Sequence, residues 1–293
     1  MSTDAAALIE RLRAARAETV RRVGAMDPER LGSPSAWRGA MLPLGHQVGW
    51  LAEGDETRRV AVEHSAAWLA HPPTYAQRAL LIGSASFGRL LGSFVGVAPE
   101  LFERQPAPGE WGLREALAHV IAVAKRYLAG VEYAVARRRH GDTGPLRPPA
   151  DSMPPSSGET ERQGTLEEML ARFVATHDEI VRRVGAVADV DLDAPGDWAS
   201  LPIDVRFRIH RFAAHQREHT AHIGKIQQQI GWQQNEPQML LAGAQAARAT
   251  FETVLRYAAE ALLEQPVAPG GVTITGLVQQ ALDDEAHLQA ALA

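Results

Sequence analysis

Three histidines, His215, His219 and His222, recur within the segment IHRFAAHQREHTAHIGKIQQQI, residues 209–230. On an α-helix each residue advances by about 100°, so positions four apart diverge by about 40°. His215 and His219 therefore point the same way, and His222 falls about 20° to the other side of His215. Phe212 and Ile226 share that face, which directs it toward a core. A single histidine on an apolar face is usually a hydrogen-bonded core residue. Three on one face would each need a polar partner or carry a desolvation cost. A shared cation removes that cost: histidines at i, i+4 chelate one ion from a single helix, and neutral imidazole suits zinc, nickel or iron(II).

A third ligand must come from another helix. His119, in WGLREALAHVIAVAKRYL, lies on the edge of its helix's apolar stripe beside Ala116 and Val123 and is the best-placed candidate. His177 shares a face with Phe173, Ile180 and Val184 and is a candidate to border the same pocket. His46 has no HxxxH partner and is read as structural. His210, opposite His219 on its helix, is read as solvated. HQREH also fits H-x-x-E-H, the inverted zinc-peptidase pattern, with Glu218 as general base of a metal-dependent hydrolase. That architecture is α/β and larger, whereas strand-like alternation is nearly absent here.

The elements that must hold these residues read as helices of period 3.6. They are expected at 5–23, 39–68, 75–97, 113–139, 165 onward, 202–230, 238–264 and 273–292. Thr165 with Glu168 has the spacing of a capping box. The stretch 140–163 is rich in proline and serine and reads as an irregular excursion, and a loop this long in a bundle is either disordered or functional. A weak repeat aligns VGAMDPERLGSPSAWRGAMLPLGHQ with VGVAPELFERQPAPGEWGLREALAHV, each a helix end, a Pro/Gly loop, a Trp and then a histidine. A C-terminal stretch has the same shape but carries Gln280 in place of the histidine. The expected fold is all-α: an N-terminal helical hairpin (1–72), a central up-down four-helix bundle with the metal site (75–233) and a C-terminal hairpin (238–293). Each hairpin has an apolar face it cannot bury alone, so the two are expected to pack as a degenerate second bundle or against the central one.

Composition narrows the partners. The 293 residues carry a formal net charge of −5 and scattered arginines, which gives no footprint for nucleic acid. The absence of cysteine excludes disulfides, thiolate ligands and a cysteine nucleophile. The first residues lack the basic start and apolar run of a signal peptide, and no stretch has the apolar length of a membrane span. A cytoplasmic protein acting on a small molecule is expected, with neither nucleic acid nor membrane as partner. Apolar hairpin faces would permit a homodimer.

A Trp-initiated helix with one histidine, followed much later by HxxxH near the end of a helix, resembles the DinB-like (DinB/YfiT) superfamily of metal-binding four-helix bundles. FAAHQREHTAHI in particular is similar to that family's closing-helix signature. By position, the resemblance implies His119, His215 and His219 as ligands of one divalent ion, with zinc first and nickel or iron as alternatives. His222 stands where the family commonly has glutamine, a departure that would tune the metal or contact substrate. Relatives of this kind include transferases and isomerases using bacillithiol, mycothiol or glutathione, and iron-binding domains of sulfoxide synthases. The resemblance thus implies a transferase that joins a low-molecular-weight thiol to an electrophile. His222, Glu218 and His177 are then candidates to support the metal, and Arg147, in the excursion, to contact thiol or substrate. The alternative is a bundle whose metal or ligand serves no catalysis.

Overall fold

Side chains that accept a hydrogen bond from the first helical turn fix most helix starts in the structure, a computed structural model describing residues 4–155, 158–258 and 260–293. Helix α1 (Ala5–Gly24) begins at Asp4, whose carboxylate accepts from Ala6 N–H at 2.9 Å. A hairpin of β1 (Pro34–Trp37) and β2 (Ala40–Pro43) leads into α2 (Leu44–Glu63) and the short α3 (Ala66–Ala70). Helix α4 (Tyr75–Gly92) and the short α5 (Pro99–Phe102) precede α6 (Leu113–His140). Thr165 and Glu168 close the capping box of α7 (Leu166–Val184) at 3.2 and 2.8 Å. A second hairpin, β3 (Pro195–Trp198) with β4 (Leu201–Asp204), enters α8 (Val205–Gln229), capped by Asp204 on Phe207 N–H at 2.7 Å. Helix α9 (Glu236–Tyr257), a third hairpin of β5 (Pro266–Ala268) and β6 (Val272–Thr273), and α10 (Ile274–Ala291) complete the chain. No helix among the described residues is long and apolar enough to cross a membrane.

The all-α expectation holds for the architecture, with three small hairpins added, two of them running into the expected helix starts. Residues 40–43 and 202–204, read as first helical turns, lie in strands. The first two hairpins turn through two residues in the left-handed region: Arg38 and Gly39 (φ 48° and 85°), and Ala199 and Ser200 (φ 51° and 67°). Such turns match the twist of paired strands, but neither carries the Asn-Gly or Asp-Gly signature that announces them. The hairpins also reveal a closer internal match than the one expected around Trp111, which lies in irregular chain. VGAMDPERLGSPSAWRGAMLP and VGAVADVDLDAPGDWASLPID both close a helix and form a hairpin, with Trp37 opposite Ala40 and Trp198 opposite Leu201.

The chain divides into two compact units. One comprises residues 1–72, 91–96 and 234–293, so the N- and C-terminal hairpins do share a bundle of their own, built on α1, α2, α9 and α10. Trp37, Val48, Leu51, Leu241 and Leu288 belong to its apolar core. At its centre each helix contributes one charge to a buried ring. Arg16 reaches Glu285 at 2.6 Å and Asp55 at 3.1 Å, and Arg248 reaches the same two carboxylates at 3.1 and 2.9 Å. Burial opposes ionisation of Asp55, but the guanidiniums of Arg248, Arg16 and Arg58 outweigh it and hold the carboxyl low.

The other unit, residues 73–90 and 97–233, is the expected four-helix bundle of α4, α6, α7 and α8. Leu80, Val131, Ile180, Ile209 and Phe212, drawn from all four helices, meet in its core. The excursion 140–163 is, where described, strapped to this bundle. Tyr133 donates to Pro145 O at 3.0 Å, Arg126 to Pro154 O at 2.5 Å, and Lys125 pairs with Glu161 at 2.6 Å.

A candidate three-histidine metal centre

Helix α6 starts at Gly112, whose N–H donates to Glu115 at 3.0 Å. A side chain at Gly112 would meet Arg104 O at 2.7 Å, so only glycine fits there. Two turns on, His119 turns toward α8. On α8 the helical period places Phe212, His215 and Ile226 on the buried side, and all three are buried. His215 Nε2 lies 3.3 Å from His119 Nε2. One ring nitrogen from each of His119, His215 and His219 lies within 4.8 Å of the others. Ring centroids are 4.4 Å apart for His215–His219 and 4.9 Å for His119–His219.

These groups fit a metal ion. Nitrogens each about 2.0–2.1 Å from one tetrahedral ion stand about 3.3 Å apart, the separation of the two Nε2 atoms. His219 Nδ1 is buried with no hydrogen-bond partner, an orphaned atom that a rigid protein rarely tolerates without a reason. The imidazoles are also held in the ligating, neutral form. Burial, then the neighbouring His219 and His119, depress the pKa of His215 to about 3. Burial, then His119 and His222, bring His219 to about 4, and burial with His222 lowers His119 as well. Among the described residues this is the group of three or more potential ligands that converges on one point.

The other candidates divide. His222, half-buried, lies 5.6 Å ring to ring from His219 and borders the cluster. His177 is buried and stacks flat on Phe87 at 3.8 Å. Glu218 is exposed, and both its oxygens are taken by Arg211, at 2.8 and 3.1 Å. That side-chain pair, with the burial opposing it, holds the Glu218 carboxyl low, which suits a surface ion pair and not a general base. Arg147 is exposed in the strap. His46 and His210 are exposed too, and His210 Nε2 sits 2.8 Å from Tyr75 Oη.

Two site residues escaped the sequence reading. Trp111, marked only as a helix-start residue, packs its ring 4.9 Å from His119 and 5.9 Å from His222. Tyr127, read as part of an apolar stripe, lies edge-on to His215 at 5.7 Å. Tyr127 is eight residues after His119, about 80° further around the helix, so the helical period alone does not put the two on one face. Gly158, buried at φ 66°, brings the strap against the backbone of Ala118, next to His119.

Residues 84–223 match the family model of the DinB superfamily, a span that contains all three histidines, Trp111 and the strap. No curated protein and no solved structure matches the chain.

Proposed function

We propose that this protein, a member of the DinB superfamily through residues 84–223, is a metal-dependent enzyme that joins a low-molecular-weight thiol to a small electrophile. The observation that carries the reading is the convergence of three neutral imidazoles, with two Nε2 atoms 3.3 Å apart and neither bonded to an acid. His119, His215 and His219 would hold one divalent ion, zinc by preference, with nickel or iron(II) also suited to imidazole. Bound there, the ion would keep its full charge and supply Lewis acidity, which favours the thiolate of a cosubstrate at neutral pH.

The chain has no cysteine, so the sulfur must arrive with the cosubstrate, of the bacillithiol, mycothiol or glutathione kind. The reaction balances without an oxidant: sulfur bonds to the electrophilic carbon, and the thiol proton ends on the opened epoxide oxygen or the far alkene carbon. Trp111, 42% exposed, gives the site an apolar wall against which such an electrophile would lie. His222 offers an imidazole at the rim to carry the proton. Arg147, exposed in the excursion, is the residue we assign to a carboxylate of the thiol, and a cytoplasmic setting would supply such thiols.

The first test is metal content of protein purified without added metal, beside His219→Ala. About one equivalent in the wild type and a clear loss in the variant are expected. No metal after reconstitution would end the proposal. Thiol consumption with an epoxide and with an activated alkene then tests the reaction, which should disappear in His215→Ala. A second reading follows from His222: as a fourth ligand it would close the site and make the metal structural. Cobalt-substituted protein whose spectrum changes in His222→Ala, with no thiol consumed by the wild type, would favour it.

A further inference from the structure

The bundle of α1, α2, α9 and α10 holds a cavity of about 530 Å³, within the size range of small-molecule sites. Trp37, Arg38, Trp50, Glu53, Arg58 and Asp284 are among its lining residues, so both its walls and the buried ion pairs behind them belong to this unit. The walls are aromatic. Trp37 is buried, Trp50 is 40% exposed, and their rings meet edge to face at 6.1 Å.

Two lining residues present donors that the protein leaves unused. Trp37 Nε1 and Arg58 Nε are buried without any acceptor. An unsatisfied buried N–H costs about 1–3 kcal/mol, and apolar packing would not remove that cost. An acceptor brought by a ligand would.

The charged lining is two guanidiniums, Arg38 and Arg58, with two acids, Asp284 and Glu53. Arg38 and Arg58 share Asp284: Arg38 Nε reaches it at 3.1 Å, and Arg58 takes the other oxygen. Behind them, Arg58 also meets Asp55 at 3.3 Å. The connected set Arg16, Arg38, Arg58 and Arg248 thus leans on three carboxylates, Asp55, Asp284 and Glu285. Glu53, exposed, is the other acid on the wall. Arg38 sits at a hairpin apex with φ 48°, a conformation a non-glycine side chain adopts at a cost, and there its guanidinium lies 6.0 Å from the Trp37 ring centroid.

We propose that this cavity is a second ligand site, which binds a small aromatic carboxylate with its ring against Trp37 and Trp50 and its carboxylate toward Arg38 and Arg58. The guanidiniums of Arg38 and Arg58 and the unused donors favour a ligand with acceptors, and the two indoles select a flat apolar body. The site is separate from the three histidines, which belong to the other unit.

Calorimetric titration of the full-length protein with 2-naphthoate and with indole-3-acetate tests this, alongside the neutral isostere 2-naphthalenemethanol. Saturable binding of a carboxylate at one equivalent is expected, with the alcohol weaker by about tenfold or more, the loss of one charge-assisted hydrogen bond. Trp50→Ala and Arg38→Gln, both at exposed positions, should weaken the carboxylate by a similar factor while circular dichroism stays unchanged. His219→Ala should bind it as the wild type does. Absence of saturable binding by both carboxylates at millimolar concentration would overturn the proposal. So would equal binding of the alcohol, or a loss confined to His219→Ala.

Discussion

The imidazoles of His215 and His219 have more to lose from a proton than a solvated histidine does. Burial and mutual proximity depress their pKa values to about 3 and about 4, from an ordinary value of 6.5. Above pH 6.5 folded and unfolded chains are alike in leaving them neutral. As pH falls below that, the unfolded chain takes up protons that the metal-free fold refuses, so stability drops until the folded pKa values are reached. The melting temperature of metal-free protein should therefore fall between about pH 7 and pH 4, and His219→Gln should flatten that slope. An unchanged slope would mean that the histidines are not buried together. The same scale separates the competing catalytic roles. Glu218 is held at the surface by Arg211, so Glu218→Gln is expected to leave both metal content and turnover unchanged. Turnover lost with the metal retained would restore a general-base role for Glu218 in the H-x-x-E-H pattern. His215 and His219 were legible in the sequence because a shared helix face needs no knowledge of the fold. Trp111 was not, because its approach to His119 is set by an irregular stretch that carries no period.

At the scale of elements, the turns were the least visible parts. Ala199 and Ser200 both adopt left-handed backbone (φ 51° and 67°), which costs non-glycine residues about 1 kcal/mol each or somewhat more. The double substitution Ala199→Asn with Ser200→Gly should raise stability by about 1 kcal/mol, measured by urea unfolding, because those residues accept the conformation the hairpin demands. No gain would show that the turn relaxes in solution. The strap behaves oppositely. Gly158 holds φ 66° against the backbone of Ala118, so Gly158→Ala should lower the melting temperature and loosen the metal site beside it. Helix starts at Thr165 and near Gly112 could be read in advance from capping side chains. The hairpins could not, since four-residue strands are too short to show alternation and Arg-Gly and Ala-Ser turns resemble ordinary loop.

At the scale of the whole molecule, two four-helix units fill their centres with opposite chemistry. One gathers neutral imidazoles. The other closes a ring of Arg16, Asp55, Arg248 and Glu285, one residue from each of α1, α2, α9 and α10. Removing one member leaves an uncompensated charge in a site buried from solvent. Asp55→Ala should cost about 3–5 kcal/mol in thermal or urea unfolding, and replacing all four charges by well-packed apolar residues should cost far less. If Asp55→Ala proved mild, water would have to reach the ring.

The sequence by itself determined the helices, the shared face of His215 and His219, and the family resemblance of the central bundle. These follow from local geometry, since 3.6 residues per turn orders side chains within a helix whatever surrounds it. Tertiary structure decided that His119 meets His215, that the terminal hairpins share one core, and that Arg16 and Glu285, 269 residues apart, are partners. Nothing in the sequence singles out those two residues from the other charges on their helices. Only packing removes the water around them, and with it the option of remaining unpaired.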